Sequence, residues 1–140
     1  MMIEDMKVLV VDDDPVVLKV MTQIIEQAGY EVYGVTSPLA ALEMLKQMKF
    51  RIMLTDVNMP DMDGIELMQA AKRYDPMIQV VVITGDSTMK KALSALENGA
   101  MDYLLKPVEN SEEVVESVRI CERRVRRWYQ QLSNSNPLQK

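Results

Sequence analysis

At 140 residues, with 48% hydrophobic and 26% charged side chains, the chain has the length and composition of one globular domain with a single sizeable core, so neither disorder nor a membrane span is expected. The longest apolar runs, such as Val80 to Ile83, fall far short of the roughly 20 residues of a spanning helix, and no signal peptide precedes Lys7, so a cytoplasmic protein is expected. One cysteine rules out an internal disulfide, and the lack of any histidine removes a Ser-His or Cys-His pair, an imidazole zinc site and a phosphohistidine of the chain's own.

In chain order, the first strand is expected at Lys7 to Asp12, an apolar run that stops at three consecutive carboxylates. Asp14, just before Pro15, suits the cap of a first helix with the proline at its first position. Helical spacing then links Val17, Val20, Met21, Ile24 and Ala28, ending at Gly29. A strand over Glu31 to Val35 and a helix through Leu39, Leu42, Leu45 and Met48 follow. The third strand, Arg51 to Asp56, again ends on a carboxylate. In the turn after it, Pro60 and Gly64 set the backbone shape, and Asp61 and Asp63 read as solvated loop residues. The series continues with a helix from Gly64 to Arg73, a strand from Ile78 to Thr84 and a helix from Thr88 to Asn98 closed by Gly99. A strand from Met101 to Leu105 and a longer helix starting near Ser111 complete it. The 13 methionines read as adaptable core filler.

Five short, apolar strands alternating with five helices imply an α/β domain: a parallel sheet covered on both faces. In open parallel sheets, ligands bind outside the carboxyl ends of the strands, near the point where strand order reverses. Asp12 and Asp13 stand at the end of the first strand, Asp56 at the end of the third, Thr84 at the end of the fourth, and Lys106 just after the fifth. Carboxylates packed this closely repel and drive their pKa values apart unless a cation is present. A hard divalent ion with oxygen ligands, Mg²⁺ or alternatively Mn²⁺, resolves this, and such a site commonly serves a phosphoryl group. Lys106 adds a point positive charge, and the Thr84 hydroxyl is a donor for a phosphoryl oxygen.

Four motifs stand in order along this alternation: VDD (Val11 to Asp13), TDVNMPDMDG (Thr55 to Gly64), TGD (Thr84 to Asp86) and GAMDYLLKP (Gly99 to Pro107). In these the chain resembles a receiver domain of a two-component response regulator, chemotaxis-regulator-like, over roughly Met6 to Arg126. The resemblance implies a doubly wound five-stranded sheet of flavodoxin-like order 2-1-3-4-5. It implies that Asp56 is the phosphoacceptor, that Asp13, Asp56 and the backbone carbonyl of Asn58 ligate Mg²⁺, and that Asp12 helps mainly through water. Lys106 would pair with phosphoryl oxygens, Thr84 and Tyr103 would form the switch, and the Lys106-Pro107 bond would be cis. Asn58 and Asp86, small and polar, would flank the path of hydrolytic water and leave the phosphoryl group short-lived. The implied partners are a sensor histidine kinase or His-phosphotransfer protein and an output partner or domain that the sequence does not identify.

Such a domain is a regulatory phosphoacceptor rather than an enzyme. The competing reading is an aspartyl-phosphate phosphatase or phosphotransferase acting on an external substrate; the haloacid-dehalogenase-like pattern expects an aspartate where this chain has Asn58. A flavodoxin-like binder would need a phosphate loop in place of the acidic DDDP, and no GxxxxGK[ST] nucleotide motif occurs. Tyr103, read blandly, is a half-buried strand residue, and Asp14 is a cap rather than a ligand.

The tail differs from the body. Residues 1 to 110 carry 10 basic and 17 acidic side chains, a net of −7, whereas 111 to 140 carry 6 and 4, a net of +2. Residues 1–126 are assigned to the receiver domain and 127–140 to an extension of the last helix with a polar tail. Val114, Val118, Cys121, Val125, Trp128 and Leu132 recur at spacings of four and three, as in a coiled-coil seam. Trp128, Tyr129 and Leu132 are expected beyond the reach of the sheet, which leaves two readings: a homodimer, through this helix or through the face of the fourth helix, fifth strand and fifth helix, and a truncated signalling helix. Direct nucleic-acid binding is disfavoured, because Glu112, Glu113, Glu116 and Glu122 offset the surrounding arginines.

Overall fold

The computed structural model describes residues 6–135, with side chains through residue 132. Ten elements alternate: β1 (Lys7–Val11), α1 (Pro15–Gln27), β2 (Glu31–Val35), α2 (Pro38–Gln47), β3 (Ile52–Thr55), α3 (Gly64–Tyr74), β4 (Gln79–Thr84), α4 (Met89–Glu97), β5 (Asp102–Leu105) and α5 (Ser111–Ser135). All four strand pairings are parallel, and the order is β2-β1-β3-β4-β5. This is the expected doubly wound fold with its strand order and long last helix. β1 and β3 stop one residue short of the expected ends, because the backbone turns at Asp12 and Asp56.

The period-two alternation of each strand sorts the core into two layers. Leu9, Val11, Met53, Val80 and Val82 face α2 and α3, where Leu67, Met68 and Ala71 are fully buried. Val8, Val10, Ile52, Leu54, Val81 and Ile83 face the other way, onto Met21 and Ile25 of α1 and Val114, Val118, Cys121 and Val125 of α5. Parallel strands covered on both sides have no polar face to show, which is why they read as near-continuous apolar runs.

Local chemistry sets the helix starts. Asp14 accepts from the N–H groups of Val16 (2.9 Å) and Val17 (3.5 Å) with Pro15 at the first position, as the sequence indicated. Ser37 and Thr88 cap α2 and α4 in the same manner. Gly29 and Gly99 follow α1 and α4 with φ of 102° and 99°, values that favour glycine.

Two expectations need correction. Asp63 is not a solvated loop residue: it caps α3 by accepting from Ile65 (2.6 Å) and Glu66 (3.3 Å), and its second oxygen pairs with Lys91 at 3.1 Å. Its neighbour Asp61 is exposed and takes φ of 73° in the turn. Tyr129 is not beyond the sheet's cover. The buried Arg51, at the amino end of β3, donates to the Tyr129 hydroxyl and lies over its ring at 4.9 Å from the centroid, while its other terminal nitrogen meets Asp75 at 2.6 Å. The apolar stripe of α5 therefore continues from Val125 to Tyr129, four residues on, because a flat cation at the floor of the sheet extends the surface it packs against. Residues 136–140 of the expected polar tail lie outside the described residues.

Candidate functional site

Parallel register brings the predicted residues together. Val11 pairs with Thr55, and Thr84 with Leu105, so the next residues of β1, β3 and β5 emerge side by side. The ladder runs one bond past the strands: Asp56 N–H donates to Val11 (3.3 Å), Asp12 to Val35 (3.2 Å) and Lys106 to Thr84 (2.9 Å). Asp12, Asp56 and Thr84 are buried, whereas Asp13 and Asn58 are exposed. The peptide bond between Lys106 and Pro107 is cis, as expected.

Asp12, Asp13 and Asp56 each offer a carboxylate oxygen, and these oxygens lie within 4.8 Å of one another. Lys106 Nζ sits against two of these residues, 2.6 Å from Asp12 and 2.9 Å from Asp56. One ammonium thus offsets part of the repulsion that the sequence raised. Burial alone would raise the pKa of Asp56, but hydrogen bonds from the adjoining Thr84 hydroxyl, Lys106 and the Asn58 N–H, with the Lys106 charge, overcome it and hold Asp56 below the usual carboxylate range. For Lys106, burial would lower the pKa; hydrogen bonds to Asp12 and Asp56 reverse this and raise it. Asp56 is therefore an ionised carboxylate at neutral pH.

Asp86 organises the other side of the site. Its carboxylate accepts from the Asn58 side chain at 3.1 Å and from the Thr88 hydroxyl at 2.7 Å, and its N–H donates to Thr84 Oγ1 at 3.3 Å. Its main-chain carbonyl accepts from the Tyr103 hydroxyl at 2.6 Å. The bonds to Thr88, and to a lesser extent that from Asn58, hold Asp86 below the ordinary carboxylate pKa. The two residues expected to flank hydrolytic water thus touch each other, and both residues of the expected switch touch Asp86.

Sequence reasoning missed two contacts beside the site. Thr88 fixes Asp86 and Lys91 pairs with Asp63, while Gly64, expected to set the backbone shape, packs on the Asp56 backbone, where an added Cβ would lie 1.9 Å from the Asp56 carbonyl oxygen. The Asp63-Gly64-Ile65-Glu66 pattern is a helix-start signature that marks Asp63 as a cap.

Free space among Asp12, Met21, Thr55, Asp56 and Ile83 amounts to only about 10 Å³. Two larger clefts of about 390 Å³ each lie at the amino ends of the strands, one beside Phe50 and Tyr74, the other beside Met6 and Tyr30.

Comparison with known proteins identifies the family. The family model for the response regulator receiver domain matches residues 8–119. The chain belongs to that family. It is 40% identical over 109 residues to the phosphoglycerate transport system transcriptional regulatory protein PgtA of Salmonella typhimurium, covering 78% of this chain and 26% of that protein. To the transcriptional regulatory protein ZraR of Klebsiella oxytoca it is 37% identical over 106 residues, 76% of this chain and 24% of the relative. The chain thus spans about a quarter of the length of these relatives. Among solved structures, a CheY-like receiver domain protein from Methanospirillum hungatei matches with a TM-score of 0.79 at 28% identity, covering 90% of this chain and 98% of that one. The beryllofluoride-activated NtrC4 receiver domain dimer matches with a TM-score of 0.80 at 29% identity, covering 85% and 98%.

Proposed function

We propose that this receiver is a phosphoaccepting switch that takes a phosphoryl group onto Asp56 from a phosphohistidine of a partner kinase or phosphotransfer protein. The observation that carries the reading is Lys106 Nζ lying between Asp12 and Asp56, beside three carboxylates whose oxygens are within 4.8 Å. These hard oxygen donors fit Mg²⁺ (or Mn²⁺), which Asp12, Asp13, Asp56 and the Asn58 carbonyl would hold; when bound, it supplies positive charge that neutralises phosphoryl oxygens.

The transfer is a displacement at phosphorus. An Asp56 carboxylate oxygen forms the new P–O bond as the P–N bond to the donor imidazole breaks, and its electron pair stays on the donor nitrogen. Lys106 balances charge on the equatorial oxygens, and a donor hydrogen bond from Thr84 stabilises one of them. The acyl phosphate brings about −2 charge, drawing the Thr84 hydroxyl toward it, with Tyr103 following into the space released. α4 and β5 carry the exposed apolar residues Met89, Leu93, Leu96 and Leu105. This surface, with α5, is where an output partner or a second copy would read the change; the activated NtrC4 receiver is a dimer.

The domain assists its own modification and is not an enzyme acting on external substrates. It works in the cytoplasm, and no described helix is long and apolar enough to cross a membrane. Incubation with a phosphorylated His-phosphotransfer protein tests the assignment. Label should pass to the chain in Mg²⁺ buffer and stop with excess EDTA; transfer indifferent to EDTA would overturn the metal's role, and no transfer from any phosphohistidine donor would overturn the partner class.

A further inference from the structure

Packing alone holds α4 weakly. Ala95 is its one buried residue, while Met89, Leu93 and Leu96 are exposed. Two polar ties to α3 fix its place. Near its amino end Lys91 Nζ meets Asp63 Oδ2 at 3.1 Å, with both side chains about one-third exposed. Just past its carboxyl end, the Asn98 side chain accepts from Gln69 Nε2 at 2.7 Å.

Asp63 also connects to the acceptor. Its Oδ1 caps α3 through Ile65 and Glu66, and the residue between, Gly64, lies against the Asp56 carbonyl and donates its N–H to Val57 at 2.9 Å. A run of direct contacts therefore passes from the Asp56 backbone through Gly64 and Asp63 to Lys91 on α4. It is separate from the bonds that join Thr84, Asp86 and Tyr103 on the other side of the site.

We infer that the Asp63–Lys91 pair is a latch that couples α4 to the state of Asp56. It docks α4 on α3 while Asp56 is the carboxylate bonded to Lys106 and Asn58, and Gln69–Asn98 is the hinge about which α4 swings when the latch opens. The inference rests on the phosphoacceptor reading above. Its content is a population shift: whatever the pair contributes to the docked helix opposes activation by the same factor. For a partly exposed ion pair that factor is about 1.5- to 5-fold.

Two substitutions separate charge from capping. Lys91→Met keeps the aliphatic stem, and Asp63→Asn keeps an oxygen that caps α3. Beryllofluoride titrations in Mg²⁺, followed by NMR, should give about 1.5- to 5-fold tighter binding for each variant than for the parent. Without any additive, backbone amides of α4 should exchange faster by a similar factor. The double variant should resemble a single one, since either change opens the same pair. Parental affinity, parental exchange or additive effects would each overturn the latch. Intact mass after acetyl phosphate treatment of the parent keeps the two readings apart. No phosphoryl group on Asp56 would sink the phosphoacceptor reading, whereas a phosphorylated parent with unaltered variants sinks the latch alone.

Discussion

Gly64→Ala probes how the Asp56 backbone is held. The added Cβ would stand 1.9 Å from the Asp56 carbonyl oxygen and 2.8 Å from both the Asp56 carbonyl carbon and Val57 Cα. These are main-chain atoms, so no rotamer change relieves the contact, and either α3 or the Asp56–Val57 peptide must move by roughly 1 Å. Forced overpacking of this kind costs about 1–3 kcal/mol. The better helix propensity of alanine returns at most about 1 kcal/mol. Denaturant unfolding should therefore show a net loss of about 1–2 kcal/mol. Displacing a reacting group by roughly 1 Å costs about 100-fold, so initial phosphorylation rates with acetyl phosphate should fall by about 10- to 100-fold. Gly85→Ala is the matched control, because a Cβ there meets nothing within 4 Å. A Gly64→Ala protein as stable and as quickly phosphorylated as Gly85→Ala would refute the close-approach argument.

Arg51→Met should lower unfolding free energy by about 3–5 kcal/mol, because Asp75 is left as an uncompensated, largely buried carboxylate, and Tyr129→Phe should cost about 1 kcal/mol; urea titrations with both changes under 0.5 kcal/mol would mean that α5 is not clamped at the sheet floor. The folded-state pKa of Asp56 lies below its unfolded value, so its contribution to stability is present above the unfolded carboxylate range and is lost as pH falls through the folded pKa. Lys106 is raised, so its contribution is complete below the ordinary lysine pKa and is lost as pH rises through the folded one. Asp56→Asn should flatten the acid limb of a stability–pH curve; an unchanged limb would contradict the assignment. Because Asn58 and Asp86 are small, polar and bonded to each other, the phosphoryl group should decay in seconds to minutes, a barrier near 20 kcal/mol, and a half-life of many hours after donor removal would count against them as flanks of an open water path.

Much of the fold was legible because its signals are local. Strands buried on both faces must be apolar throughout, and a polar residue that ends such a run marks the sheet's rim, so Asp12, Asp56, Thr84 and Lys106 could be placed at one rim from their positions alone. The cap at Asp14 was equally local. Contacts between distant segments were not legible. Arg51 and Tyr129 are 78 positions apart, and nothing near either residue signals that a guanidinium will lie on that ring. The expectation for Tyr129 failed for the same reason: the helical pattern records which side chains are apolar, not whether the sheet's floor reaches them, whereas Leu132 is exposed as expected. Lys91 and Asp63, 28 positions apart, are a similar case, although the capping pattern at Asp63 was there to be read.

Whether Asp56 is the group phosphorylated is decided by intact-mass spectrometry after incubation with acetyl phosphate and Mg²⁺. The parent chain should gain one phosphoryl group and Asp56→Asn none. A phosphoryl group that persists in Asp56→Asn would place the acceptor elsewhere and contradict the assignment.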